Sequence, residues 1–178
     1  ILTSKNHKTG TDRIYEALKK IDLKDVDLIM NLQGDEPAIN IDDIINLNKK
    51  MINSDSRIGT LAAKIKDLKD LENNNIVKVL TKNNLDNNNF LEAKTFTRNC
   101  SIIDNTYHHI GVYSYSTEAL EKFVKLSQSQ NEIKNGLEQL RALDNGIEIN
   151  VALAKSAPIG IDTKEDYLAL KKIMEYKT

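Results

Sequence analysis

The chain has 178 residues, 40% hydrophobic and 29% charged, with a net charge of -1, enough for one soluble domain with a real core. The near-neutral balance and the lack of a basic stripe argue against a nucleic-acid binder, and no apolar run approaches the ~18 residues that span a bilayer. The single Cys100 cannot form an internal disulfide and fits a reducing cytosol.

Ile1-Leu2-Thr3-Ser4 reads as the end of a strand entering a polar loop. The expectation is therefore a single domain over 1–178 that begins inside a larger fold. Thr3 to Arg13 is polar and hydroxyl-rich, with Gly10. It leads into Ile14, Ala17, Leu18 and Ile21, spaced as one helix face. Asp12 or Thr11 would cap that helix. Free N–H groups and hydroxyls at such a start suit an anion, and Arg13 adds a fork that matches phosphate.

Val26 to Leu32 is short and apolar and reads as a buried, central strand. It stops at Gly34-Asp35-Glu36-Pro37, because Pro37 cannot continue sheet pairing. This puts Asp35 and Glu36 at a strand's carboxyl end, where open α/β sheets bind ligands. Carboxylate oxygens suit a hard cation such as Mg²⁺. An acidic turn would look the same locally.

Asn40 to Asn53 is the clearest helix, with Asn40 as cap and Asp42 and Asp43 in its first turn. Ile58 to Ala63 reads as a strand and 67–72 as a helical turn ending in Asn73-Asn74-Asn75. Residues 76–80 and 90–98 read as a hairpin, with the Asn cluster at 83–89 as its solvated loop.

Tyr107 to Tyr115 is a strand on which His109, Gly111, Tyr113 and Tyr115 share one face. His108 points the other way, and no cluster completes a zinc shell. A helix over 117–126, capped by Ser116 or Thr117, precedes a continuous helix over 132–145 with Gly136 in its interior. Ile147 to Ala154 is a strand. Asp162 or Thr163 would cap a last helix over 164–176. Alternating strands and helices with one inserted hairpin predict a three-layer α/β/α mixed sheet, Rossmann-like in class.

Six stretches then stand in order: Thr3-Ser4 to Arg13, Asn31-Leu32-Gln33-Gly34-Asp35-Glu36-Pro37, Phe96-Thr97-Arg98, His109 to Tyr113, Leu137-Glu138-Gln139-Leu140-Arg141, and Gly160-Ile161-Asp162-Thr163. Together they resemble the CMP-Kdo synthetases, the Kdo cytidylyltransferases of Gram-negative lipopolysaccharide synthesis. The resemblance runs essentially end to end. It implies a nucleotidyltransferase fold, Mg²⁺ dependence, a homodimer, a cytoplasmic location and transfer of CMP from CTP to Kdo. It also implies residue roles. Asp35 and Asp162 match the metal-binding aspartates, and with Arg13 they form the catalytic set. Thr3, Ser4, His7, Gly10 and Arg13 match the nucleotide loop. Gln33, Arg98, His109, Tyr113, Glu138 and Gln139 match the sugar pocket.

The family's first strand and basic phosphate loop have no counterpart here, so the chain alone is expected to be inactive. Ser116 and Asn135 stand where the family usually has Arg and Glu. The residues also fit activation of another acidic sugar, such as sialate or an amino-Kdo, and a binding remnant without activity.

Overall fold

The computed structural model describes residues 1–34, 36–158, 160–161 and 163–175. Among them the organising element is a long strand, β5 (Thr106–Ser116). One of its edges pairs antiparallel with β2 (Ile58–Lys64). The other edge is shared. β1 (Leu28–Asn31) takes Tyr113–Ser116, and β3 (Lys78–Thr81) takes Thr106–His108. β2 continues to β6 (Asn150–Leu153) in parallel, and β6 meets β4 (Leu91–Thr97) antiparallel. The sheet order is β1-β5-β2-β6-β4-β3. Because β3 also pairs with β5, the ladder β2-β5-β3-β4-β6 closes on itself.

Helices cover both faces, as expected of three layers. On one face α2 (Ile41–Ile52) lays Leu47 and Met51 on Leu61, Ala63, Ile110 and Val112. On the other, α1 (Gly10–Ile21), α4 (Thr117–Val124) and α6 (Leu140–Asp144) pack on Ile58, Ala62, Tyr113 and Tyr115 through Ile14, Leu18, Leu120, Phe123 and Leu140. The alternation read along β5 therefore holds: its tyrosines enter one core and its Ile110 and Val112 the other. The hairpin also holds, as β3 and β4 joined by a loop in which Asp86 Oδ1 accepts from the backbones of Asn88 and Asn89. The turn at 67–72 contains α3 (Lys69–Glu72).

Asn40 caps α2 as expected, accepting from the Asp42 N–H at 2.9 Å, and Ser116 caps α4 through the Ala119 N–H at 3.1 Å. Three expectations are corrected. First, α1 is capped by Thr9, not by Thr11 or Asp12. Thr9 is extended and its hydroxyl accepts the Asp12 N–H, while Thr11 is already inside the helix and buried. Second, β1 is not central. Among the described residues it pairs only with β5, and its four residues are half-buried. Third, the helix over 132–145 is broken into α5 (Gln130–Asn135) and α6. Gly136 ends α5 in the left-handed conformation, φ 61°. It is a C-cap, not an interior glycine, and the cap turns Glu138 and Gln139 out of any helix. The last helix, α7 (Lys164–Glu175), follows Thr163, whose carbonyl accepts the Tyr167 N–H; Asp162 lies outside the described residues.

Candidate active site

The shared edge of β5 creates the site. Between the part taken by β1 and the part taken by β3, the backbone has no neighbouring strand among the described residues. The His109 N–H is met by the Val77 carbonyl at 2.9 Å. The Gly111 N–H is met by Glu36 Oε1 at 3.2 Å. Glu36 therefore substitutes for a strand and fastens the turn after β1 onto β5. Gly111 matters for close approach, because a Cβ there would sit 3.2–3.3 Å from the Gln33 side-chain amide.

On the β2 side the register slips between Thr60 and Leu61, leaving Gly111 and Val112 without opposite residues. Such bulges re-aim side chains next to active sites. Thr60 fills this one: its hydroxyl lies 2.8 Å from the Val112 carbonyl and 3.0 Å from His109 Nε2. A hydroxyl has one proton. We assign it to the Val112 carbonyl, the shorter contact, so His109 donates from Nε2 and keeps Nδ1 as an acceptor.

A cleft of about 1220 Å³ opens over this gap. Its wall brings together Gly10, Arg13, Gln33, Arg98, His109, Tyr113, Glu138 and Gln139, residues drawn from five separate stretches of chain. Single small-molecule sites run roughly 300–1,000 Å³, so this one has room for more than one substrate.

The aromatic face of β5 forms the floor. Phe96, His109, Tyr113, Tyr115 and Phe123 follow one another with ring centroids 5.0–6.5 Å apart. Burial pushes His109 down to about 3, with His108 adding to the effect, so the ring is neutral at pH 7. Burial likewise pushes the Tyr113 hydroxyl well up. Among the described residues that hydroxyl has no hydrogen-bond partner, although the Thr60 side chain lies beside it. Glu138 Oε1 is also buried without a partner. Burial raises the Glu138 pKa, opposed by the hydroxyls of Thr11 and Thr9 beside it.

Behind the floor, Arg141 is buried, fork-bonded to Glu132 at 2.8 and 2.5 Å, and lies 4.7 Å over the Phe123 ring. It holds α5 against α6 and so fixes the turn carrying Glu138 and Gln139.

Thr3, Ser4 and His7 do not line the cleft. They are fastened to α1 instead. Arg13 donates to Thr3 Oγ1 at 2.7 Å and to the Ser4 carbonyl at 3.1 Å, and Glu16 accepts the Ser4 N–H and pairs with His7. One residue, Arg13, thus touches both this segment and the cleft. Asp35 and Asp162, the expected metal ligands, lie outside the described residues. Gly34 and Glu36, on either side of Asp35, and Gly160, two positions before Asp162, line the cleft, and no cluster of metal-binding side chains occurs among the described residues.

Sequence reasoning passed over Thr60, Lys78 and the Asn73–Val77 turn, which also reaches the cleft. For Lys78 a signal existed: a lysine between Val77 and Val79 in a strand must face one core or the other.

A family model described as Cytidylyltransferase matches residues 1–149. The chain belongs to the cytidylyltransferase family. It is 42% identical over 177 residues to the 3-deoxy-manno-octulosonate cytidylyltransferase of Bartonella henselae, covering 98% of this chain and 72% of that one. The solved structure of CMP:2-keto-3-deoxy-manno-octonic acid synthetase complexed with CTP superposes with a TM-score of 0.85 at 29% identity. That match covers 100% of this chain and 73% of the other. An apo UDP-glucose pyrophosphorylase, 12% identical with a TM-score of 0.62, shares the fold alone. The chain is thus a nucleotidyltransferase of mixed α/β fold, with cytidylyltransferases of the Kdo-activating kind as its relatives.

Proposed function

We propose that this cleft transfers CMP from CTP to the anomeric hydroxyl of Kdo and releases pyrophosphate. The observation that carries the reading is the gathering of Gln33, Arg98, His109, Tyr113, Glu138 and Gln139 on one wall. Two buried polar atoms there, Tyr113 Oη and Glu138 Oε1, have no hydrogen-bond partner among the described residues. A buried group without a partner costs about 1–3 kcal/mol, which a polyhydroxylated sugar would recover.

The roles follow from chemistry. Arg98 is a planar cation suited to the sugar carboxylate. Neutral His109 accepts at Nδ1, and Gln33, Glu138 and Gln139 hold sugar hydroxyls. Arg13, beside the hydroxyl-rich segment Thr3 to Gly10, faces the nucleotide phosphates. The anomeric oxygen forms a bond to the α-phosphorus, the bond to the pyrophosphate oxygen breaks, and the hydroxyl proton is lost. Positioning supplies most of the rate in such transfers.

We assign Mg²⁺ to Asp35 and Asp162. The donor chemistry fits: both are hard oxygen ligands, and Gly34 and Glu36 beside Asp35 and Gly160 two positions before Asp162 line the same cleft. When bound, the cation neutralises charge building on the phosphate oxygens. Asp35→Asn should lower turnover by about 100-fold or more and leave the melting temperature nearly unchanged. Turnover near wild type would remove Asp35 from the metal site.

The enzyme is further read as a cytoplasmic homodimer. The free Cys100 and the exposed Ile102 and Ile103 between β4 and β5 support this. No described helix is long and apolar enough to cross a membrane.

Pyrophosphate release from CTP by the full-length enzyme in the presence of Mg²⁺ tests the function, with Kdo, sialate and an amino-Kdo offered in parallel. Release with Kdo, well above the others, is expected. Release only with another acidic sugar would reassign the acceptor, and CTP binding with no release from any of them would overturn the enzymatic reading.

A further inference from the structure

The most thoroughly buried cation of the described chain lies beside the cleft, not in it. Lys78 has no exposed surface. Its ammonium donates to the carbonyls of Asn73 at 2.8 Å, Ile76 at 2.9 Å and Arg98 at 2.6 Å. These acceptors belong to two stretches of the cleft wall: the turn before β3 and the residue that follows β4. Arg98 is tied to that turn a second time, by Nη1 donating to the Asn74 carbonyl at 3.1 Å. Arg98 is thus tied to the turn at 73–76 twice, by its carbonyl through the Lys78 ammonium and by its guanidinium directly. With its three protons spent on carbonyls, Lys78 has nothing left for a substrate.

Burial of an ammonium is costly, and an apolar side chain of equal size often stabilises a core more. Methionine would fill this space. Stability is therefore a weak reason for lysine here, and geometry a stronger one. Three carbonyls pointing at one spot repel one another. A cation among them fixes the turn and the chain at residue 98 in one relative position. We propose that Lys78 is a positioning residue for the acidic-sugar subsite: it sets Arg98 in the cleft wall, so that affinity for the sugar carboxylate depends on a side chain that never touches it. The inference rests on the reading of Arg98 as the anchor of that carboxylate.

The test uses the enzyme with Lys78→Met, Arg98→Ala and the double variant. Affinity for Kdo and for CTP is measured by titration calorimetry, alongside KM for each substrate and thermal melting. Lys78→Met should weaken Kdo by about tenfold or more while CTP changes less than about twofold, since a displacement near 1 Å is enough to cost that much. The double variant should bind Kdo no more weakly than Arg98→Ala. A purely structural lysine would lower the melting temperature and the active fraction but leave both affinities as they are. That result, equal weakening of both substrates, or additive losses in the double variant would overturn the proposal. If Lys78→Met does not fold, Lys78→Gln, which keeps two donors, is read by the same titrations against the same outcomes. Kdo binding unchanged in Arg98→Ala would instead remove Arg98 from the sugar pocket, and the role of Lys78 with it. Weakening in Arg98→Ala without any in the Lys78 variant removes the positioning role alone.

Discussion

At the scale of single residues, the cleft holds side chains whose state is set by burial. Tyr113 carries a buried hydroxyl with no partner. Tyr113→Phe should therefore leave the unfolding free energy unchanged or raise it by about 1 kcal/mol, while weakening Kdo binding. Denaturant melts and a Kdo titration check the two halves, and a large loss of stability would show that the hydroxyl is satisfied. His109 is the acid-sensitive point. Its pKa is near 6.5 when unfolded and about 3 when folded. The neutral ring thus contributes stability that is complete above 6.5 and lost as pH falls toward 3. Across that window the unfolded chain binds one more proton, so stability falls by about 1.4 kcal/mol per pH unit from this group. His109→Asn should flatten the dependence of urea midpoints on pH between 6 and 4. An unchanged slope would show that His109 is protonated in the fold.

At the scale of elements, β5 decides where the cleft opens. Its eleven residues are too long for either partner on its shared edge, and the unmatched middle is what Glu36 and Val77 close. The second element with consequences is the broken helix. Gly136 frees the turn that carries Glu138 and Gln139, and the buried Arg141–Glu132 fork holds the two short helices together. Arg141→Leu leaves Glu132 buried and unpaired. It should cost about 3–5 kcal/mol and depress sugar binding with it. A variant with near-normal melting would show that α5 and α6 hold together without the pair. The sequence announced most of these elements. Asn40 and Ser116 work locally as caps, and local signals are legible. The break at Gly136 was visible as a glycine but read as an interior one, because Leu137, Leu140 and Leu143 keep a helical spacing across it.

At the scale of the whole molecule, two layers of helices hold a sheet whose ladder closes on itself, with the cleft on one edge. The exposed Ile102 and Ile103, at 56% and 60%, lie on the β4–β5 connection. With that connection in the interface of the proposed homodimer, Ile103→Asp should shift the enzyme toward monomer in sedimentation measurements. A dimer that survives the change unaltered would place the interface elsewhere.

The sequence by itself determined the class of fold, the order of elements, the family and a set of polar residues that the structure gathers on one cleft wall. Those follow from periodicity, caps and motif order, which are local or one-dimensional. Only the tertiary structure decided that β1 lies at an edge, that Glu36 closes a gap in β5, that Thr60 orients His109 and that Lys78 binds Arg98. Each of those depends on a register or a carbonyl direction between residues from 20 to 88 positions apart. The strand that ends in Gly34-Asp35-Glu36-Pro37 shows the division well. Its carboxylates were legible as a candidate site, while the partner of Glu36 on β5 depended on where two other strands stop.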